Sequence, residues 1–387
     1  MIPCRDLTTD LSFDPGPSPL RRQIRSWVEQ NLLCGSREET GMEEEARRLV
    51  SRLGQEGFIA YVVPKRFGGV RENVQALDLC LLREELARGS SLADTMLAMQ
   101  ALGSYPITLA GSEAQKSRYL PPIARGEAIA AFALTEPEAG SDLSSIQSRA
   151  VRYGKEYCLT GVKRFISNAG LAQTYVVFAS TDPEKRAKGL SAFVVEADTP
   201  GLVFKEKIPL LSPHPMGAIA FEECRIPETQ LLGREGDGLK ITLRTLDTLR
   251  STVGAAAVGL AQRALEEAIR YSQNRRQFGQ KLAEFQGIQF KLADMATELE
   301  AARLLVYQAA WINDHGQEGL KQKSSMAKLF ATEAAQRIVD QALQIHGGMG
   351  VVVGTPVEQL YRDVRALRIY EGTSEIQKMV IARTLLK

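Results

Sequence analysis

Five cysteines, three histidines and two tryptophans are spread over 387 residues, and these scarcities narrow the chemistry before any motif is read. Cys4, Cys34, Cys80, Cys158 and Cys224 are odd in number and far apart. They read as reduced thiols in a reducing compartment, with neither a disulfide framework nor a zinc site. No histidine has another His or Cys at ligand spacing, which argues against a protein-built transition-metal centre. Neither sign of charge is in excess: 48 Lys and Arg stand against 46 Asp and Glu, a net of +2. That balance gives no electrostatic reason to expect nucleic acid or an anionic membrane as partner. No apolar run approaches the ~18 residues of a membrane span. The opening MIPCRDLTTDLSFDPGPSPL carries acids and prolines without an apolar centre, so no signal peptide is expected and the location reads as cytoplasmic. A GxGxxG turn, a GxxxxGK[ST] loop and a GxSxG elbow are also missing, and with them the usual dinucleotide, P-loop and hydrolase routes.

What is present changes texture twice. Residues 1–129 read as a helical domain, with Leu20, Ile24, Trp27 and Leu32 at helical spacing and amphipathic stretches at Arg47 to Leu53 and Ala76 to Arg88. Breakers at Gly103 to Pro106 and Pro121-Pro122 are expected to end helices there. Residues 130–238 read as a β domain. Short apolar runs at Ala128–Leu134, Tyr157–Thr160, Tyr175–Phe178, Ser191–Val195, Gly201–Phe204 and Ala218–Phe221 have no helix between them, which predicts an antiparallel sheet, barrel or sandwich. Residues 239–387 return to long helices. Ile288, Leu292, Met295, Leu299 and Ala302 step by 4, 3, 4 and 3, the seam of a packed bundle. Gly254 to Leu260, rich in Ala and Gly, predicts close approach of helix axes. The fold class is thus α+β, helical, then β, then a helical bundle.

Five stretches carry candidate chemistry, and each also has a plain structural reading. Glu136 to Asp142, including Ser141, is a loop after a strand or a solvated turn. Phe165 and Ser167 face one side of a strand end, fit to stack on and hydrogen-bond a planar ligand, or to pack a sheet edge. Arg275 to Gly279 completes a long helix, either as a dipole-complementing end or as a phosphate-binding arginine beside an aromatic. Gln344 to Gly350 holds three glycines within four residues, more than a helix end requires. His346 among them reads as packing or capping. In Tyr370-Glu371-Gly372-Thr373-Ser374, Glu371 is either a loop carboxylate poised beside a flexible glycine or part of a helix cap. In the cap reading Thr373 or Ser374 caps, and Gln377 completes a capping box with Ser374.

Taken together, FALTEPEAGSD, GVKRFISNAG, NRRQFGQKLAEFQ, QIHGGMG and RDVRALRIYEGTSEIQ occur in an order and spacing that resembles the acyl-CoA dehydrogenase family. The likeness runs from about Leu20 to Leu386. It implies an N-terminal helical domain, a middle β domain and a C-terminal four-helix domain, assembled as a homotetramer. It also implies FAD as cofactor, an acyl-CoA thioester as substrate and electron-transfer flavoprotein as electron acceptor. By this resemblance Phe132, Leu134, Thr135 and Ser141 flank the flavin ring, Ser141 also meeting CoA. Phe165 covers the ring and the Ser167 hydroxyl bonds its N5. Arg275, Gln277, Phe278, Phe285 and Gln286 receive the cofactor of a neighbouring subunit. Gln344, Ile345, His346, Gly347 and Gly348 form the ADP-binding turn, and Thr373 and Glu375 add contacts. Asp247 and Arg250 meet CoA, with Tyr370 and Gly372 at the thioester.

The resemblance makes Glu371 the base that abstracts the α-proton while the β-hydrogen leaves as hydride to FAD. Some family members place the base on the long helix, where this chain has Leu249, so Glu371 is the matching candidate. Two positions depart from the pattern: Phe165 stands where Trp is frequent, and Val351 where an aromatic follows the glycine turn. Asp94 to Gln100 is expected to line the acyl pocket with two methionines and no cation, which disfavours a dicarboxylic substrate. The competing readings are an oxidase or other flavin enzyme on this scaffold, and a non-catalytic binding protein.

Overall fold

The computed structural model describes residues 18–33 and 41–386, so the expectations placed on Cys4, Cys34 and the opening stretch lie outside the described residues. Helices α1 (Pro19–Val28), α2 (Met42–Gln55), α3 (Ala76–Gly89), α4 (Ser91–Ala110) and α5 (Glu113–Ala124) come first. Strands β1 (Ala130–Ala133), β2 (Arg149–Tyr153), β3 (Glu156–Ser167), β4 (Thr174–Ser180), β5 (Leu190–Glu196), β6 (Leu202–Lys207), β7 (Met216–Pro227) and β8 (Leu231–Leu232) follow. The chain closes with α6 (Gly238–Asn274), a small hairpin of β9 (Arg276–Gln277) and β10 (Gln280–Lys281), α7 (Gln286–Asp314), α8 (Leu320–His346), α9 (Pro356–Arg365) and α10 (Ser374–Leu385).

Two expectations about the first helices are corrected. Pro106 sits inside α4, and Pro121 and Pro122 lie within α5, so these prolines do not end the helices. Each removes its own backbone donor, and the packed faces on either side keep the helix running. Gly103 has a different use: a Cβ there would lie 2.6 Å from the Ala130 methyl, so α4 rests directly on β1. Nor is α3 a surface amphipathic helix. It packs among α1, α4, α6 and α7, and Arg83, Glu84 and Glu85 are all buried. Their charges are paired inside: Glu84 accepts from Arg21, Tyr307 and Arg303, and Glu85 from Arg25. A helical wheel cannot distinguish such paired charges from a wet face.

All six expected strands form, and β2, a charge-rich strand without an apolar run, adds to them. The sheet order is β6-β7-β3-β2-β4-β5-β8, with β1 beside β4. Most pairings are antiparallel, but β1–β4 and the short β2–β4 contact are parallel. The barrel expectation is corrected: β6 and β8 end the path unpaired with each other, so the sheet stays open. Between Lys163 and Ile166 the β3–β7 register shifts, with Phe165 at φ 57°. This bulge turns Phe165 outward beside Ser167, with Ile166 buried between them.

In the C-terminal part α6, α7 and α8 pack on one another, α10 lies along α8 as the fourth helix, and α9 touches α6 and α8. Met295, Leu299 and Ala302 are buried on the expected seam of α7. The small residues of α6 work as their composition predicts. A Cβ on Gly254 would meet Val306 at 2.7 Å, and one on Gly259 would meet the Glu84 carbonyl oxygen at 2.1 Å. α6 is thereby seated at backbone distance on α3, while the Val306 side chain of α7 fills the space beside Gly254.

Candidate active site

The loop before α10 is shaped for presentation rather than packing. Glu371 and Gly372 both adopt left-handed backbone, at φ 51° and 92°. Such a conformation costs a non-glycine residue about 1–3 kcal/mol, and it persists where surrounding contacts dictate it. Those contacts are present. Lys328 Nζ donates to the Gly372 carbonyl at 2.8 Å, and Gln377 Nε2 donates to the same oxygen at 2.9 Å. Thr373 caps α10, its hydroxyl accepting from the Ile376 N–H. The capping-box expectation is therefore corrected: Gln377 grips the loop carbonyl instead, and Ser374 donates to Glu333 at 2.6 Å.

The loop delivers the Glu371 carboxyl into a shielded place. The residue as a whole is half-buried, yet its Oε2 is sealed from solvent and has no hydrogen-bond partner. Burial raises its pKa above the ordinary carboxylate value; Arg83 and Lys328 oppose the shift, Asp94 adds to it and Arg250 opposes it. Lys328 is fully buried, and burial lowers its own pKa to about 8. Leu249, the alternative base position, is a buried apolar side chain. An unpartnered, desolvated carboxyl with raised basicity is equipped to accept a proton from a weak carbon acid.

Asp247 and Arg250 pair across one turn of α6 at 2.7 Å, and Arg250 also reaches Ser324 and Ser325 at 3.3 and 3.4 Å. The Arg250 Nε is buried without a partner, a donor available to an anion or carbonyl.

A second group gathers at the end of the sheet. Phe132 packs on Phe178 with ring centroids 4.9 Å apart, Leu134 is buried, and Thr135 receives the Arg164 N–H. Ser141 is exposed, but its loop is not a simple solvated turn. Glu136 is buried within that loop and accepts from the Gln147 and Ser148 N–H groups and from Lys163 at 2.7 Å. Lys163 also donates to the Leu134 carbonyl at 3.0 Å, which ties loop to sheet. Phe165 leaves half its surface open, 51%, beside Ser167. The Ser167 hydroxyl lies 3.2 Å from His214 Nε2, and His214 Nδ1 lies 3.2 Å from the Ser212 carbonyl.

The third group lies at the far ends of α6 and α8. The β9–β10 hairpin turns through Phe278 (φ 50°) and Gly279 (φ 83°) and leaves Phe278 93% exposed, edge-on to Phe285 at 6.4 Å. Arg275, Gln277, Gln286 and Gln344 are exposed, and Gly347 and Gly348 face open space. Ile345 is buried, and His346 stacks on Tyr271 at 4.2 Å while its Nδ1 meets the Ala342 carbonyl, a packing and capping role. Thr373 and Glu375 stay with Glu371, not with this group. Eighteen residues of α8 separate Lys328 from His346, about 27 Å at helical rise, and Arg250 stands about 37 Å from Arg275 along α6.

The segment expected to line the acyl pocket holds no cation of its own, yet one from another helix meets it. Asp94 does meet a cation, since Arg83 donates to it through Nε and Nη2 at 2.8 and 2.9 Å. Arg83 lies eleven residues away on a different helix, and a buried positive charge amid Leu79, Leu81 and Leu82 was the available signal. Lys328 was likewise missed: an interior lysine among alanines carries no motif. His214, between two prolines, is the third such residue.

Fold and site together define a class: a helical, β-sheet and helical chain that offers a buried, unpartnered carboxylate from a clamped loop. Models of the acyl-CoA dehydrogenase N-terminal, middle and C-terminal domains match residues 18–127, 131–224 and 236–386. The chain is 41% identical to the 3-(aryl)acrylate reductase of Clostridium sporogenes, covering 95% of this chain and 98% of that protein. It is 39% identical to the caffeyl-CoA reductase-Etf complex subunit CarC of Acetobacterium woodii, over 95% and 97% of the two chains. The solved butyryl-CoA dehydrogenase of Megasphaera elsdenii superposes with a TM-score of 0.88 at 36% identity, over 95% and 97% of the chains. The chain belongs to the acyl-CoA dehydrogenase family of flavoprotein oxidoreductases. Among the described residues no helix is long and apolar enough to cross a membrane, and no cluster of His, Cys, Asp and Glu suits a metal ion.

Proposed function

We propose that this chain catalyses FAD-dependent α,β-dehydrogenation of an acyl-CoA thioester, with Glu371 as the α-proton acceptor. The observation that carries the reading is Glu371 Oε2, sealed from solvent without a hydrogen-bond partner on a carboxyl whose pKa burial raises. Gly372, with no side chain, leaves the loop backbone open for the thioester to approach. Asp247 and Arg250, paired on α6, would hold the CoA side, and Arg250 keeps a buried Nε donor unspent.

FAD fits the residues present. Phe165 offers a half-exposed ring beside the Ser167 hydroxyl, and Phe132, Leu134, Thr135 and Ser141 border the same sheet end. The exposed hairpin and the open glycines at Gly347 and Gly348 suit an extended phosphate-bearing end. Bound there, FAD supplies the acceptor for the β-hydride. The spacing along α6 and α8 supports a homo-oligomer in which one copy's hairpin and glycine turn, Arg275 to Gln286 and Gln344 to Gly348, receive the cofactor of another. An external electron-transfer flavoprotein as acceptor is supported by the Etf-associated relative.

Two relatives bear the names of reductases, and the same geometry serves the reverse direction, in which protonated Glu371 returns a proton to the α-carbon. Anaerobic bleaching of the flavin across linear, branched, cyclic and aryl acyl-CoA thioesters tests the forward reading. Re-oxidation by the matching 2-enoyl thioesters tests the reverse. Bleaching by at least one acyl-CoA, with turnover only when an artificial acceptor is supplied, is expected. Strong peroxide formation from oxygen alone would overturn the dehydrogenase reading in favour of an oxidase.

A further inference from the structure

The proposed chemistry leaves His214 unused, yet the histidine touches Ser167 and its surroundings decide which ring nitrogen carries the hydrogen. It stands between Pro213 and Pro215 in the link from β6 to β7, and both ends of that link are tied to the sheet. The Ile208 N–H donates to the Met216 carbonyl at 2.9 Å, and the Asn168 N–H donates to the Pro215 carbonyl at 2.9 Å. Ser212, in the same link, donates to Asp363 of α9 at 2.9 Å and lies 3.4 Å from the Ser91 hydroxyl at the start of α4. The half-buried ring thus has fixed partners: Nδ1 is 3.2 Å from the Ser212 carbonyl and Nε2 is 3.2 Å from the Ser167 hydroxyl. A carbonyl can only accept, so Nδ1 carries the hydrogen, and in a neutral imidazole Nε2 is then a bare acceptor. Burial lowers the His214 pKa and the Ser212 carbonyl opposes, which leaves the neutral ring favoured. Asp363, the anion beyond Ser212, accepts from the Ser212 hydroxyl and from Gln359 Nε2.

We propose that His214 fixes the polarity of the Ser167 hydroxyl, which donates to His214 Nε2 and offers only lone pairs to a flavin edge, so that the site favours the reduced ring over the oxidised one. The inference rests on the FAD reading above, with Ser167 at the ring nitrogen N5. That nitrogen is a bare acceptor in oxidised flavin and an N–H in reduced flavin. A serine whose hydrogen is spent on His214 gives the oxidised ring no donor and gives the reduced ring an acceptor. A serine released from His214 would turn its hydrogen to the oxidised ring instead. Ser167 is the last residue of β3 and pairs with Met216, so the strand holds its backbone and the hydroxyl hydrogen is what His214 directs. Acting through Ser167, His214 is a positioning residue, and hydrogen bonds of this kind at the ring are how a protein tunes a flavin.

The test uses purified holoenzyme and needs no substrate. Dissociation constants of oxidised and reduced FAD, and the potential of the bound flavin, are measured in the parent, His214→Leu, Ser167→Ala and the double variant. His214→Leu is expected to cut the preference for reduced over oxidised flavin about tenfold, a fall of about 30 mV for a two-electron couple. In the Ser167→Ala background the same substitution is expected to leave the potential where it was, because the hydroxyl it acts through is gone. Equal weakening of both oxidation states in His214→Leu, a potential that stays or rises, or an equal shift without the Ser167 hydroxyl overturns the proposal. Nitrogen-15 spectra of histidine-labelled holoenzyme give a second readout, with His214 resolved from His315 and His346 by substituting those two. The Nδ1–H tautomer is expected at His214. The Nε2–H tautomer or a cationic ring overturns the proposal, even should His214→Leu not fold. The FAD reading fails separately, through a parent protein that stays colourless after FAD is added.

Discussion

Replacing Glu371 by Gln keeps shape and removes one proton-accepting group. A positioned general base contributes about 10²–10⁴ in rate. The surroundings place this variant at the upper end, because nothing nearby can substitute. Asp94 is locked to Arg83, Glu333 pairs with Arg368 at 2.7 Å, Leu249 is apolar, and Oε2 is sealed from the solvent that could otherwise relay a proton. The expected loss is therefore about ten-thousandfold in flavin reduction, or about 5.5 kcal/mol of barrier. Stability moves the other way. Because the folded pKa of Glu371 lies above its ordinary value of 4.5, the folded carboxylate is penalised as pH rises through that shifted range. Gln carries no such penalty, so the variant is expected to melt no lower than the parent at pH 8, with the difference vanishing near pH 4. Anaerobic stopped-flow absorbance measures the first effect and thermal melts at the two pH values the second. Reduction within tenfold of the parent would refute the reasoning.

Gly259→Ala drives a methyl to 2.1 Å from the Glu84 carbonyl oxygen and is expected to destabilise by about 1–3 kcal/mol, read from urea midpoints. Lys328 has a pKa near 8 against an ordinary 10.5, so burial penalises its charged form below pH 8 by about 3 kcal/mol. The penalty is relieved as pH rises toward 10.5. Lys328→Met removes this dependence, and the parent is expected to gain stability relative to the variant between those pH values; a constant difference contradicts it. Phe278→Ala removes a 93% exposed ring and is expected to leave chemical denaturation unchanged while increasing flavin loss on dilution, measured by fluorescence of released flavin.

Much of this molecule is legible in its sequence because periodicity reports burial. The seam of α7, the six apolar strands and the small-residue stretch of α6 each write their packing into spacing. Glu371 and Arg250 stand out in the sequence through motif and spacing rather than through texture, and their roles remain part of the proposal. What could not be read was pairing between distant elements. Arg83 and Asp94, Glu136 and Lys163, and Lys328 with the Gly372 carbonyl join residues from separate elements, and a linear pattern shows each as an isolated polar residue. The prolines of α4 and α5 misled for a related reason: a local rule that ends helices yields when tertiary packing holds both sides. The open sheet rather than a barrel turned on which strands are edges, a property of topology that strand count does not contain.

The backbone-close seating of α6 reaches further than packing. Arg250, Leu249 and Thr252 ride on a rod pinned at Gly254 and Gly259, and Lys328 on the adjoining α8 holds the Glu371 loop to it. On the proposed reading, the grip on CoA and the reacting carboxyl are thus fixed at one span, like the two jaws of a caliper set to a single gauge. On the same reading, acyl groups of different size are told apart beyond that gauge, and Thr95 and Met99 are partly open on α4. That reading makes retailoring to another acyl group a matter of recarving one helix face while the frame stays as it is.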